Sequence, residues 1–143
     1  MRKDLHLDRS LDESVALELL GYHWVQWRRD TGFTGPPERG RFLAPPKGLL
    51  SHLQVPASAE VPVAEDPFRY LPPFSTDAGA AMELAERVGL FEAGGTMLEV
   101  TSQGRWSCLS KERREIASGQ TLAEAVCRAC LAQHRQPQLE AVR

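Results

Sequence analysis

Three pairs of neighbouring aromatic and arginine residues are the features of this sequence best suited to binding chemistry. An aromatic ring offers a face on which a base stacks, and a guanidinium group binds phosphate through two parallel hydrogen bonds. The pairs are Trp27 with Arg28, Arg41 with Phe42, and Arg105 with Trp106. The chain has 17 basic and 19 acidic side chains, hence a net charge of −2, which does not suit a protein held to nucleic acid by phosphate neutralisation. We therefore predict a small anionic ligand; the alternative is that the rings are core and the arginines are solvated.

A second candidate anion site lies before the middle helix. Phe74, Ser75 and Thr76 precede a helical pattern, and the free N–H groups of a helix N-terminus favour an anion. Ser75 or Thr76 is also a good N-cap, and Asp77 complements the helix dipole. Capping alone would explain these residues, so both interpretations stay open, and Phe74, Ser75 and Thr76 join the candidate ligand-binding residues.

The cysteines raise the question of a metal site. Cys127, Cys130 and His134 have helical spacing, and Cys108 on a strand would complete a tetrahedral zinc site. Cysteine is also among the most buried residue types, so we favour core packing and expect no metal and no cofactor. The sequence contains no Gly-x-Ser-x-Gly, His-Glu-x-x-His, Walker or Gly-x-Gly-x-x-Gly motif. We therefore predict that the protein is not an enzyme.

The elements that must position these residues begin with a helix from Ser10 to Gly21, whose apolar residues recur at intervals of four. The next segment, Tyr22–Trp27, is rich in aromatic residues and predicts a strand. Nine of the ten prolines then lie between residues 36 and 73. Proline disfavours helices and central strands, so this segment is predicted to be a long loop with short edge strands at Arg41–Leu43 and Leu53–Val55.

A second block of regular structure follows the loop. A helix is predicted from Asp77 to Gly89, and strands at Thr96–Ser102 and Arg105–Ser110 are separated by a tight turn. The charged run 111–115 is predicted to be a solvated turn. The last helix starts at Thr121, which has capping-box spacing with Glu124, and ends near His134.

Together these elements predict the α+β class: a small antiparallel sheet covered by helices, in one domain over residues 1–143. The regular core would cover 10–134, the proline-rich loop 36–73 and a frayed tail 135–143. Charges interrupt every apolar run, and the N-terminus lacks the apolar region of a signal peptide. The chain is therefore predicted not to be membrane-bound. Its three cysteines, an odd number, cannot all pair in disulfides, so it is also predicted to be intracellular.

Three segments, 11–25, 73–84 and 121–132, resemble the phage ABA-sandwich domain family. The first has the helix and the Gly21-to-Trp24 strand entry, the second the Phe74-Ser75-Thr76-Asp77 helix start, and the third a closing helix with small residues and Cys127. Met82 stands where the family usually has tryptophan. The resemblance implies an α-β-α sandwich. It also implies the activity of some similar phage proteins, which sequester immune second messengers such as the cyclic ADP-ribose variants of Thoeris or the cyclic oligonucleotides of CBASS.

Three functions follow, in this order of preference. The first is a cytoplasmic phage or prophage anti-defence sponge: a homo-oligomer that holds a cyclic nucleotide-type messenger without degrading it. The second is a phage accessory protein-interaction module whose proline-rich loop contacts the partner. The third is an enzyme that degrades the messenger, which would need a metal or a cluster of histidine and acidic side chains.

Overall fold

The computed structural model describes residues 9–30, 32, 35–46, 64–92 and 96–142, without the side chains of 136–142. Three helices and five strands alternate irregularly along these residues, which confirms the α+β class. The elements are α1 (Ser10–Leu19), β1 (His23–Arg29), β2 (Glu38–Ala44), α2 (Ala78–Val88), β3 (Met97–Val100), β4 (Trp106–Leu109), β5 (Glu115–Gly119) and α3 (Leu122–Val142). Among the residues described, no helix is both long and apolar enough to cross a membrane.

The strands form two separate antiparallel sheets, β1–β2 and β3–β4–β5, instead of the single sheet expected. The reason is β2, which lies inside the proline-rich segment and pairs with β1 from His23 opposite Ala44 to Arg29 opposite Glu38. The edge strand predicted at Arg41–Leu43 is therefore confirmed and is longer than predicted. The one predicted at Leu53–Val55 lies outside the described residues.

The chain divides into two compact units. Met1–Val15 and Pro73–Arg143 form one, called here the helical unit, and Ala16–Pro72 form the other, called the hairpin unit. The division falls within α1. Whether the two units behave as the one domain expected from the length stays a prediction.

In the helical unit, α3 packs against α2 and against strands β4 and β5. Small buried residues on α3, among them Ala125, Ala129 and Cys130, let the helix approach its neighbours closely. Gly119 at the end of β5 shows how close: a Cβ there would lie 2.8 Å from the Ala125 backbone nitrogen. Burial of apolar side chains at this contact stabilises the unit.

The start of α2 is organised by two carboxylates. Asp77 is the N-cap, and its Oδ1 accepts hydrogen bonds from the backbone N–H groups of Gly79 (2.8 Å) and Ala80 (3.3 Å). The prediction that Ser75 or Thr76 caps the helix is therefore wrong. The Ser75 N–H instead donates to Oδ1 of buried Asp12 at 2.7 Å. The helix ends as predicted at Gly89, whose φ of 72° suits a residue without a side chain.

Two further predictions about the helical unit need correction. Glu115, placed in a solvated turn by its charged neighbours, begins β5, which pairs with β4. The turn is confined to the residues before it, where Arg113 adopts φ 65°. Helix α3 continues to Val142 instead of ending near His134, since an internal proline removes one helical hydrogen bond without necessarily ending the helix. Its start agrees with the prediction, because the Glu124 N–H donates to Thr121 Oγ1 at 3.1 Å.

The hairpin unit has a buried apolar cluster on one side of β1–β2. Phe42, Ala44 and Ala64 form a buried cluster, and partly buried apolar side chains pack against it: Val25, Trp27 and Tyr70. The Leu43 N–H donates to the Pro67 carbonyl at 2.8 Å. This bond ties the segment after the undescribed residues to β2.

We predict that replacing Asp12 by alanine lowers the free energy of unfolding by about 3 kcal/mol. Asp12 is 1% exposed and also accepts a hydrogen bond from Arg9 Nε at 2.7 Å, so its loss leaves two donors without their acceptor. Urea denaturation measures the change. Asp30→Ala is the control, because the 3.3 Å Arg28–Asp30 pair is exposed and contributes less than about 1 kcal/mol. Equal losses in the two variants would contradict the role given to Asp12.

Candidate ligand-binding groove

The two faces of the β1–β2 pair differ in chemistry. Directly opposed residues share a face and successive residues alternate between faces. Val25 opposite Phe42 and Trp27 opposite Gly40 therefore belong to the core side. The other side carries three opposed pairs: Trp24 with Leu43, Gln26 with Arg41, and Arg28 with Arg39. Three arginines are thus collected on one side of a seven-residue ladder.

Two of these pairs, Gln26 with Arg41 and Arg28 with Arg39, line a groove of about 580 Å³ together with the pair between them, called here the arginine groove. Its lining consists of Gln26, Trp27, Arg28, Arg39, Gly40 and Arg41. Small-molecule sites typically have volumes of about 300–1,000 Å³. The groove is therefore large enough for a ligand of nucleotide size.

The positive charge of the groove is poorly neutralised. Arg28 forms only an exposed 3.3 Å contact with Asp30, and the described part of the chain offers no acidic partner to Arg39 or Arg41. Arg29 on the core side differs, since it pairs with Glu38 at 3.5 Å and with Glu65 at 2.9 Å. Like charges directly opposite each other on a sheet are destabilising. An anion in the groove would relieve that repulsion.

Arg41 is held in position by an aromatic ring. Its guanidinium carbon lies 4.2 Å from the centroid of Trp24, a cation–π distance. Trp24 in turn packs against Phe68 at 6.1 Å between ring centroids. A guanidinium that is already ordered loses less conformational entropy when it binds an anion.

Trp27 and Gly40 form the floor of the groove. A Cβ on Gly40 would lie 2.6 Å from Trp27 Cζ2, so the indole occupies the space where other residues have a side chain. Trp27 Nε1 is buried and has no hydrogen-bond acceptor among the described atoms of the protein. An indole nitrogen can only donate. The guanidinium carbon of Arg29 lies 5.4 Å from the centroid of the Trp27 ring.

Half of the residues that line the groove are predicted from the sequence. Trp27, Arg28 and Arg41, the predicted ligand-binding residues, lie together in it, and its other lining residues are Gln26, Arg39 and Gly40. The period-two alternation of a strand that starts before Arg41 would have placed Arg39 on the same side. Phe42 is adjacent in sequence but points into the core, 2% exposed, with its ring 5.8 Å from that of Tyr70.

The remaining candidate residues belong to the helical unit. Phe74 is 1% exposed and Thr76 is exposed, and the amides at the start of α2 already donate to Asp77. Arg105 donates through Nη2 to Ser118 Oγ at 2.8 Å, beside half-buried Trp106 in β4. Packing and capping account for these positions. A ligand-binding role for Phe42, Phe74, Ser75, Thr76, Arg105 and Trp106 stays a prediction.

The cysteines lie in the core of the helical unit. Burial raises the pKa of Cys108 to about 11 and that of Cys130 to about 12, and it raises the pKa of Cys127 as well. The Cys108 thiol donates to the Ala125 carbonyl at 3.6 Å. The residues that the structure describes contain no group of three His, Cys, Asp or Glu side chains placed to hold a metal ion, and His134 is exposed.

Comparison with known proteins gives no match: no family model fits the chain, and neither the curated proteins nor the solved structures contain a similar one. The interpretation of the arginine groove therefore depends on its own geometry and on the sequence resemblance.

Gly40→Ala is expected to displace the Trp27 indole and to destabilise the protein by about 1–3 kcal/mol. The added methyl group would overlap a ring that packs against the hairpin core. Thermal unfolding measures the loss, and tryptophan fluorescence reports the displacement. An unchanged melting temperature and emission spectrum would show that the indole does not occupy this position.

The native thiols are expected to react at pH 8 at least about a hundredfold more slowly than those of the urea-unfolded chain. The thiolate is the reactive form, and a thiol with a pKa of about 11 is roughly one-thousandth ionised at that pH. Burial raises the pKa of Cys108 because it favours the neutral thiol. The free energy of unfolding is therefore unaffected by this group below its unfolded pKa of 9.0, and it declines as the pH rises from there towards 11. Labelling with an aromatic disulfide reagent measures the rates. Fast labelling of any native thiol would contradict the placement of the three cysteines in the core.

Proposed function

We propose that this protein binds a small nucleotide-type anion in the arginine groove and sequesters it without altering it. The observation that carries the proposal is the collection of Arg28, Arg39 and Arg41 on one side of β1–β2, two of them without an acidic partner in the described part of the chain. A fold does not need such a cluster, which costs stability through repulsion. It is suited to an anion.

The groove favours phosphate attached to an aromatic base. Guanidinium groups bind phosphate oxygens in pairs, and the Gln26 amide opposite Arg41 can donate to and accept from a base edge. Three arginines in a chain with a net charge of −2 make a local anion site rather than a surface that follows a nucleic-acid backbone.

The lining favours binding over turnover. General acid–base or nucleophilic catalysis uses His, Asp, Glu, Lys, Cys, Ser or Tyr side chains. The six lining residues are one glutamine, one tryptophan, one glycine and three arginines. Arginine stays protonated and is therefore a poor proton shuttle.

The biological role that we propose comes from the resemblance to phage ABA-sandwich proteins. It is that of a phage or prophage anti-defence protein in the cytoplasm of an infected or lysogenic bacterium, acting as a homo-oligomer. The ligand would be an immune messenger: a cyclic ADP-ribose variant of Thoeris or a cyclic oligonucleotide of CBASS. The groove supports this role because it suits the anionic, base-bearing chemistry that these messengers share.

A bind-and-release assay tests the proposal. The purified protein is incubated with cyclic ADP-ribose isomers and with cyclic di- and trinucleotides, filtered, and then heat-denatured, and both fractions are analysed by mass spectrometry. Depletion followed by release of the unchanged compound is the expected result. A changed mass would identify an enzyme. No depletion of any compound would contradict the proposal and favour the protein-interaction module.

Arg39→Gln and Arg41→Gln are each expected to weaken ligand binding by about 10- to 100-fold, the value of a hydrogen bond to a charged group. Calorimetry with the compound identified by the assay measures the change. Arg114→Gln is the matched control, because Arg114 is also exposed but lies in the turn before β5. A control that weakens binding as much as the groove variants would place the ligand elsewhere.

A further inference from the structure

A second groove, called here the acidic groove, lies on the outward side of α2. It has a volume of about 290 Å³ and runs between the helix and the turn that follows it. Its lining includes Gly79, Met82, Glu83 and Glu86 on the helix and Phe91 and Glu92 after it. Helix α2 packs against α3, and its buried residues include Ala81 and Leu84. The acidic groove is thus not part of the core.

The groove has an apolar centre. Met82 is 39% exposed, although it is a large hydrophobic residue in the middle of a helix, and Phe91 is half-buried beside it. Gly79 adds no side chain to obstruct this end of the groove. Methionine is flexible and polarizable, so it adapts to an incoming side chain.

Three carboxylates surround this centre. Glu83, Glu86 and Glu92 are exposed, and none of them forms an ion pair within the described ranges of the chain. Glu83 and Glu86 are three residues apart on one helix, a spacing at which like charges repel. The lining of the groove thus contains three acidic side chains and no basic one. The groove therefore suits a cation and repels the anionic ligand proposed above.

The groove has room for one anchoring side chain. Its volume of about 290 Å³ lies at the lower end of the range of small-molecule sites. We propose that the acidic groove docks a cationic segment of a partner protein, with one apolar side chain over Met82 and Phe91 and flanking lysine or arginine residues beside the three glutamates. This surface is separate from the arginine groove, and the proposal does not depend on the proposed ligand.

Fluorescence anisotropy with a labelled model peptide tests this docking. The probe is an amphipathic helix of about 14 residues made only of leucine and lysine, long enough to form three turns or more. The matched probe has glutamate in place of lysine. We expect the lysine peptide to bind, the glutamate peptide not to bind, and the affinity of the lysine peptide to fall as salt is raised.

Substitutions in the groove locate the site. Glu86→Gln is expected to weaken binding of the lysine peptide about two- to fivefold, and the combination with Glu83→Gln and Glu92→Gln at least about tenfold. Met82→Ala is expected to cost at least about fivefold through the lost apolar contact, and Met82→Leu to restore most of it. Glu112→Gln, an exposed carboxylate outside the groove, is the control. All replaced side chains are exposed, and circular dichroism checks that each variant is folded.

Several results would overturn the proposal. Binding of the lysine peptide that is unchanged in the triple variant, or weakened equally by Glu112→Gln, would mean general attraction to an acidic protein. Absence of binding at low salt would exclude a cationic segment. Self-association that Met82→Ala abolishes, without peptide binding, would identify a second copy of this chain as the occupant.

Discussion

The buried carboxylate of Asp12 is the constraint on which the helical unit depends. Its two oxygens accept hydrogen bonds from Arg9 Nε and from the Ser75 backbone N–H, each at 2.7 Å. Asp12 and Ser75 are 63 positions apart in the sequence, and the hairpin unit lies between them. The contact therefore joins the two separate segments of chain that make up the helical unit. A buried carboxylate is tolerated only when such donors satisfy it. The start of α2 follows directly, because Asp77 caps that helix two residues after Ser75.

The hairpin unit is governed by a different constraint, the strict alternation of side chains along paired strands. One side of β1–β2 carries Val25, Trp27 and Phe42 of the apolar cluster. The other side is buried at Leu43 and carries the arginines further along the ladder. The close fit of the Trp27 indole over Gly40 fixes the core side, and stacking of Arg41 on Trp24 orders the charged side. A local arrangement that opposes stability is a usual mark of a functional site. The opposed Arg28–Arg39 pair is such an arrangement.

Opposite charges are concentrated at two separate places in a nearly neutral chain. The arginine groove belongs to the hairpin unit and the acidic groove to the helical unit. Within the described residues, Arg28 alone among these charged side chains has an oppositely charged partner, Asp30. The lining of each groove also includes an aromatic residue. The distribution of charge therefore says more about the ligands of this protein than the net charge does, because charge acts on a ligand locally, within roughly a Debye length.

The elements with local signals could be predicted from the sequence. The end of α2 at Gly89 and the start of α3 at Thr121 depend on residues within one helical turn, and the strand around Trp24 depends on its own side chains. Trp27, Arg28 and Arg41 could be proposed as ligand-binding residues for the same reason: their chemistry is visible in the residue types.

Only the tertiary structure decided which residues act together. The sequence did not show that β2 pairs with β1, that Glu115 opens a third strand beside β4, or that Ser75 gives its N–H to Asp12 and leaves the cap to Asp77. The pairing register of β1 and β2 places Arg39 in the arginine groove and Phe42 in the core. Local propensities act within a few residues, whereas strand register and buried hydrogen bonds join distant residues whose contact is specified by the packing of the whole unit.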